Sequence, residues 1–103
     1  MARKIGTAAR LAAIRRRIDT LDGRLLRSIN DRARLALAIG RLKQRRKWPV
    51  YDPAREVSVL RHVMQANHGP LSDRAVQHIF QAILSECRRR ERSSSRKRNA
   101  GGS

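Results

Sequence analysis

The chain has 103 residues, which allows one domain at most, and its 25 Lys and Arg against 8 Asp and Glu give a formal net charge of +17. A single Cys excludes an intrachain disulfide framework, and a total of one Phe, one Trp and one Tyr argues against a β-sandwich or barrel. Because the sequence has neither an 18-residue apolar run nor the apolar segment of a signal peptide, we expect a cytoplasmic protein.

Much of the positive charge lies at the ends of the chain. Residues 1–10 carry three bases, and residues 88–103 carry seven bases and one acid. We expect a basic N-terminal extension over 1–10 and a disordered basic tail over 93–103. Charge alone would also suit a nucleic-acid-binding helical protein with salt-dependent binding. Since neither a helix-turn-helix pattern nor stacking aromatics accompany the charge, we expect nucleic acid to bind at most weakly, through the tail.

The first predicted element is a very long helix of roughly 35 residues within the Pro-free stretch 7–46. A helix of roughly 35 residues spans about 50 Å at 1.5 Å per residue, and two shorter helices folded back on it cannot cover that length. We therefore expect a homodimer in which the long helices pack against each other. The apolar positions that recur at steps of three and four are Leu11, Ile14, Ile18, Leu21, Leu25, Ile29, Ala33, Ala36, Ile39 and Leu42.

Two shorter helices follow Pro49, which ends the first one. Asp52 before Pro53 predicts the cap of a second helix that runs to about residue 67. Ser72 or Asp73 is the expected cap of a third helix over about 72–92. The fold class is therefore all-α, with its helical domain over 11–92. The side chains expected to face inward are Val57, Leu60, Val63, Met64, Val76, Ile79, Phe80, Ile83, Leu84 and Cys87.

Several basic residues share a helix face with apolar ones. Arg32 lies at the edge of the long helix's apolar stripe, and Lys43 follows it three turns later on the same face. Snorkelling of the long side chains explains any one of them. It does not explain Arg55, a cation near the start of the second helix, where the helix dipole disfavours positive charge.

The histidines show no paired spacing of metal ligands, and one Cys adds none, so we expect no metal site. These histidines are His62, His68 and His78.

Three segments in order form a more specific pattern. The first combines residues 14–22 (IRRRIDTLD), 25–26 (LL) and 30–32 (NDR) with 38–43 (AIGRLK). The second is 49–60 (PVYDPAREVSVL), and the third is 79–87 (IFQAILSEC). Together they resemble the all-helical (AroQ-class) chorismate mutases over about residues 11–92. The resemblance implies an intertwined homodimer of three-helix chains that rearranges chorismate to prephenate, in aromatic amino-acid biosynthesis, without a cofactor.

The resemblance also implies which cations meet the dianionic substrate. Arg15, reaching across from the partner chain, and Arg32 would bind its two carboxylates, which suit the planar fork of arginine. Lys43 would hydrogen-bond the ether oxygen and a carboxylate. Because negative charge builds on that oxygen as its bond breaks, a cation placed there in advance favours the transition state.

The remaining implied site residues lie in the second and third helices. Glu56 would accept a hydrogen bond from the ring hydroxyl with Asp52 nearby, and Arg55 would support this cluster. Cys87 stands where a small hydroxyl residue is common. As a thiol it is a weak hydrogen bonder, so its role is open between substrate contact and packing.

Glu91 departs from the family pattern, since bacterial relatives often have a Gln there that donates to the ether oxygen. An ionised carboxylate cannot donate and would repel the developing charge. We therefore expect Glu91 to act in its protonated form, favoured by burial against the pull of Lys43 and nearby Arg.

One alternative on the same fold accompanies this interpretation. An isochorismate–pyruvate lyase of salicylate synthesis has the same fold and a similar pocket, but the Asp52, Arg55 and Glu56 signature looks more like the mutases. A chain of 103 residues has no room for a fused dehydratase, dehydrogenase or regulatory domain, so we expect a monofunctional enzyme.

Overall fold

The computed structural model describes the backbone of residues 6–101 and the side chains of residues 6–93. This part of the chain consists of three helices and no strand: α1 (Thr7–Arg46), α2 (Pro53–Ala66) and α3 (Asp73–Gly101). The all-α fold class with one very long first helix is thus confirmed. Among the described helices, none combines the length and the apolar character that crossing a membrane requires.

The chain divides into two compact units after Asp31. The first unit contains the N-terminal part of α1, a single helix from Thr7 onward, and residues 1–5 of the predicted extension lie outside the described residues. Its apolar stripe is exposed in the single chain, as expected for a helix too long to be covered by its own chain. The exposed members of that stripe are Leu11, Ile14, Ile18, Leu21 and Leu25.

The second unit, which begins at Arg32, contains the end of α1 together with α2 and α3. Within it α2 packs against α3. Two positions predicted to face inward are wrong for the single chain, since Val57 is 55% exposed and Ile79 is 48% exposed. Val59, two residues further along α2 and nearly opposite Val57 on the helix, is buried instead. The buried apolar side chains are Ala36, Val59, Val76, Leu84 and Cys87.

Side-chain caps mark the starts of α2 and α3. The carboxylate of Asp52 accepts a hydrogen bond from the backbone N–H of Arg55 at 3.0 Å, which confirms it as the cap of α2. The hydroxyl of Ser72 accepts from the N–H of Ala75 at 3.1 Å and caps α3 in the same way.

At the end of α1, Lys47 has a positive φ of 57°, and the N–H of Trp48 donates to the carbonyl of Lys43 at 2.8 Å. The N–H of Lys47 donates to the carbonyl of Gln44 at 3.2 Å, which completes a Schellman turn. This turn reverses the chain immediately before Pro49.

The third helix is longer than the sequence predicts. The backbone stays helical through 93–101, so α3 runs past its predicted end near residue 92. The segment contains no Pro, and its Arg and Lys residues have high helix propensity, so nothing in it stops a helix that is already formed. The side chains from residue 94 onward and the whole of residues 102–103 lie outside the described residues.

Candidate active site

A cavity of about 230 Å³ lies in the second unit, between the end of α1, the following loop, the start of α2 and the middle of α3. Seven of the eight residues assigned by resemblance line it: Arg32, Lys43, Asp52, Arg55, Glu56, Cys87 and Glu91. Arg15, the eighth, is exposed in the first unit and does not line this cavity. One chain therefore brings together every assigned residue except the one expected from a partner chain.

The most enclosed polar contact in the cavity joins α1 to α3. The ammonium of Lys43 lies 3.2 Å from Oε2 of Glu91, and these side chains are only 16% and 13% exposed. The same ammonium donates to the carbonyl of Val50 at 2.7 Å, which fixes it from the loop side. Two anchors hold one cation at the cavity wall, so its position is set before a ligand arrives.

A glycine makes this contact possible. Gly40 is buried in α1, and a Cβ built on it would lie 3.1 Å from the backbone oxygen and 3.2 Å from the Cα of Glu91. Real Cβ atoms rarely approach other atoms so closely, and these atoms belong to a helix backbone that cannot rotate away. The missing side chain therefore lets α1 and α3 approach at the level of Lys43 and Glu91.

The first turn of α2 supplies acidic groups to the opposite side of the cavity. Asp52 is engaged in its capping bond, which explains its place without a ligand. Glu56, one turn further, is half-buried and directs Oε2 to the guanidinium of Arg88. Arg55 is exposed although it lines the cavity, so it acts from the rim.

Arg88 is a cavity residue that the sequence did not single out. It donates through Nη1 to Glu56, and its guanidinium lies 4.9 Å from the centroid of the Tyr51 ring. The hydrogen bond to Glu56 raises the pKa of Arg88 above its already high ordinary value, so this side chain stays charged. The available signal was its spacing of four residues after Leu84 and three before Glu91, which puts all three on one face of α3.

The cavity combines cations and carboxylates in a small volume. Its lining includes four bases and three acids, with apolar walls between them. The bases are Arg32, Lys43, Arg55 and Arg88, and the acids are Asp52, Glu56 and Glu91. A small anion with a hydroxyl group matches this set, because guanidinium and ammonium groups bind carboxylates while a carboxylate accepts from a hydroxyl.

Metal ligation is not indicated. No group of three His, Cys, Asp or Glu suited to a metal ion occurs within the described residues. His62, His68 and His78 are all exposed.

Known proteins with a similar sequence include bifunctional enzymes that contain a chorismate mutase. The bifunctional chorismate mutase/prephenate dehydratase of Neisseria gonorrhoeae (strain ATCC 700825 / FA 1090) is 48% identical over 73 residues, which is 71% of this chain and 20% of that protein. The protein of the same description from Pseudomonas aeruginosa (strain PAO1) is 45% identical over 82 residues, 75% of this chain and 22% of that protein. The chain thus spans about a fifth of the length of the curated relatives it matches.

Solved structures agree in fold and in size. The chorismate mutase (form II) of Thermus thermophilus superposes with a TM-score of 0.79 at 32% identity, covering 81% of this chain and 94% of that one. Form I of the same enzyme gives a TM-score of 0.74 at 33% identity, covering 76% and 98%. The family model described as chorismate mutase type II matches residues 14–92, which contain every assigned site residue. With the site geometry and these likenesses in agreement, the chain belongs to the chorismate mutase type II family.

Proposed function

We propose that this chain catalyses the Claisen rearrangement of chorismate to prephenate, a step of aromatic amino-acid biosynthesis. The observation that carries the proposal is the enclosed Lys43–Glu91 pair in a cavity that also contains Arg32. The reaction is unimolecular, so the protein has to hold the substrate in a compact conformer and stabilise the charge that develops on its ether oxygen. Fixed cations at a small cavity meet both needs.

In this mechanism Arg32 forms a bidentate pair with one substrate carboxylate, and Lys43 donates to the ether oxygen and the other carboxylate. Glu56 accepts from the ring hydroxyl, with Asp52 beside it and Arg55 at the rim. Lys43 acts on the charge that appears only as the ether bond breaks, so its contribution is greatest in the transition state. The buried thiol of Cys87 packs against the substrate from α3.

We propose that Glu91 exchanges its partner when the substrate binds. In the free protein its carboxylate pairs with Lys43. A substrate carboxylate that takes over Lys43 leaves the partly buried Glu91 without this ion pair. The carboxylic acid can then donate to the ether oxygen, where a carboxylate would repel it.

The site is completed by a second copy of the chain. Arg15 is exposed, and so is the apolar stripe beside it on α1, so the proposed homodimer would bury that stripe and bring Arg15 of one chain to the cavity of the other. That the enzyme is monofunctional and that it is cytoplasmic both stay predictions from the sequence.

The assignment of Arg32 to the site can be tested by following the loss of chorismate absorbance in two variants. Arg32→Ala should lower kcat/KM by at least about a hundredfold, because a half-buried bidentate contact to the substrate is lost. Arg41→Ala is the matched control, since Arg41 is exposed on the same helix and nine residues away, on the opposite face. Equal activity of the two variants would contradict the assignment.

A further inference from the structure

Arg88 is the one base of the cavity wall to which the mechanism above gives no task. It lies in α3, whereas its two partners, Tyr51 and Glu56, lie in the loop before α2 and in the first turn of α2. The side chains of Arg88 and Glu56 are 26% and 25% exposed, so water only partly screens their interaction. This contact therefore joins α3 to the part of α2 that carries the hydroxyl acceptor.

The guanidinium is held from two directions. Glu56 accepts its Nη1 hydrogen bond, and the Tyr51 ring lies 4.9 Å from its central carbon. An arginine can satisfy a carboxylate and an aromatic ring at once because its charge is spread over a planar group, which a lysine ammonium cannot match. A side chain restrained in this way can in turn restrain the carboxylate that it binds.

We propose that Arg88 is a positioning residue that orients the Glu56 carboxylate for the substrate hydroxyl. Glu56 meets Arg88 through Oε2, and a carboxylate has a second oxygen with its own lone pairs. With Oε2 fixed, Oε1 is presented to the ligand in one orientation and its rotation is already restricted before binding. The proposal rests on the proposed function, because the hydroxyl in question is that of chorismate.

A different use of Arg88 would be direct binding of a substrate carboxylate, which would require it to leave Glu56. The two uses differ in what happens when Glu56 can no longer pair. A positioning residue loses its effect in the Glu56→Met variant, which has no acceptor for Arg88, whereas a direct ligand keeps it. A double-mutant cycle measures this difference.

The experiment compares kcat/KM for chorismate in the wild type, Arg88→Met, Glu56→Met and the double variant. Met retains the apolar stem of Arg88 and removes only the guanidinium. We expect Arg88→Met to lower kcat/KM by about tenfold in the wild-type background and by less than about twofold in the Glu56→Met background. Arg88→Lys should recover part of the loss, since an ammonium still pairs with Glu56.

Arg89→Met is the control, because Arg89 is its exposed neighbour and pairs only loosely with Glu86 at 3.7 Å. Helical circular dichroism and urea unfolding identify any variant that fails to fold, and Arg88→Leu, which also removes the guanidinium, then serves in place of Arg88→Met. For variants whose turnover is too slow to measure, the dissociation constant for prephenate, measured by calorimetry, replaces kcat/KM in the double-mutant cycle.

Additive losses from Arg88→Met and Glu56→Met would overturn the positioning role, and an unchanged kcat/KM in Arg88→Met would do so as well. A wild-type chain that does not convert chorismate contradicts the proposed function instead. The rate of the wild type therefore tests the proposed activity first, and the variants then test the positioning role of Arg88 separately.

Discussion

Lys43 and Glu91 are 48 residues apart in sequence, yet the ammonium of one lies 3.2 Å from the carboxylate of the other. The contact requires that α1 end in its Schellman turn, that α3 start at its Ser72 cap, and that Gly40 let the two helices approach. It places a cation and a titratable group together at the wall of a small cavity. The Lys43–Glu91 contact therefore depends on the helix ends and on Gly40 as much as on the opposite charges of the two side chains.

The first prediction concerns the role of Glu91 as a proton donor. The donor role requires the carboxylic acid, since a carboxylate only accepts hydrogen bonds, so kcat/KM of the wild type should fall as the pH rises. Glu91→Gln keeps a donor at every pH and should flatten the profile of kcat/KM. Glu86→Gln is the control, since Glu86 is an exposed acid on the same helix. A profile as steep in Glu91→Gln as in the wild type would sink this role.

The second prediction concerns Lys43. Lys43→Met retains the stem but removes the donor to the ether oxygen, and kcat should fall by about a hundred- to a thousandfold, as when one donor to a developing oxyanion is removed. Steady-state kinetics measure the loss. Arg45→Met, at an exposed position of the same helix, should leave kcat within about twofold of the wild type. Comparable kcat values for the two variants would remove Lys43 from the mechanism.

The third prediction concerns Gly40. Gly40→Ala forces the backbone of α3 away at Glu91, and kcat/KM should fall at least about tenfold because the Lys43–Glu91 geometry is lost. Gly23→Ala makes the same change in the same helix, where a Cβ meets nothing within 4 Å. It should raise the free energy of unfolding by about 0.5–1 kcal/mol. Urea unfolding and kinetics on both variants test the pair, and a fully active Gly40→Ala would contradict it.

The fourth prediction concerns the shared site of the proposed dimer. Arg15→Ala and Arg32→Ala should each be nearly inactive as pure proteins. When equal amounts are unfolded, mixed and refolded, half of the dimers contain one of each chain, and each of these has one intact site. The mixture should therefore recover about one quarter of wild-type activity. No recovery, with mixed dimers demonstrated by mass spectrometry of native protein, would mean that Arg15 does not act across the interface.

The fifth prediction concerns stability alone. Lys47 adopts a left-handed conformation at the end of α1, where its Cβ is disfavoured and Gly is the common residue. Lys47→Gly should raise the free energy of unfolding by about 0.5–1 kcal/mol without changing kcat. Urea unfolding measures the change, and a destabilised variant would show that the Lys47 side chain makes a compensating contact.

Helix positions could be predicted from sequence because they depend on local chemistry. Apolar spacing, Pro49 and the Asp52 and Ser72 caps set most bounds of the helices to within a few residues. The end of α3 was missed because the Arg- and Ser-rich composition that suggests disorder is also compatible with a continuing helix. The composition of a segment indicates how it interacts with water. Whether a helix continues through that segment depends instead on the absence of a helix-breaking residue such as Pro.

The site was predicted residue by residue where a motif existed and missed where it did not. Arg88 begins a run of three arginines, so its composition groups it with the charge of the tail, although in the fold it shares a face with Leu84 and Glu91. Its pairing with Glu56 depends on the packing of α2 on α3, which periodicity alone does not specify. The sequence predicts that Val57 and not Val59 faces inward for the same reason, since both are apolar and only the packing decides which is buried.

The product of the wild-type chain provides the most direct test of the proposed mutase activity. The purified protein would be incubated separately with chorismate and with isochorismate, and the products identified by proton NMR. We expect chorismate to be consumed and prephenate to appear in equal amount, at a rate proportional to protein concentration and lost in Lys43→Met. Unchanged chorismate, or salicylate and pyruvate formed from isochorismate as the dominant reaction, would contradict this activity.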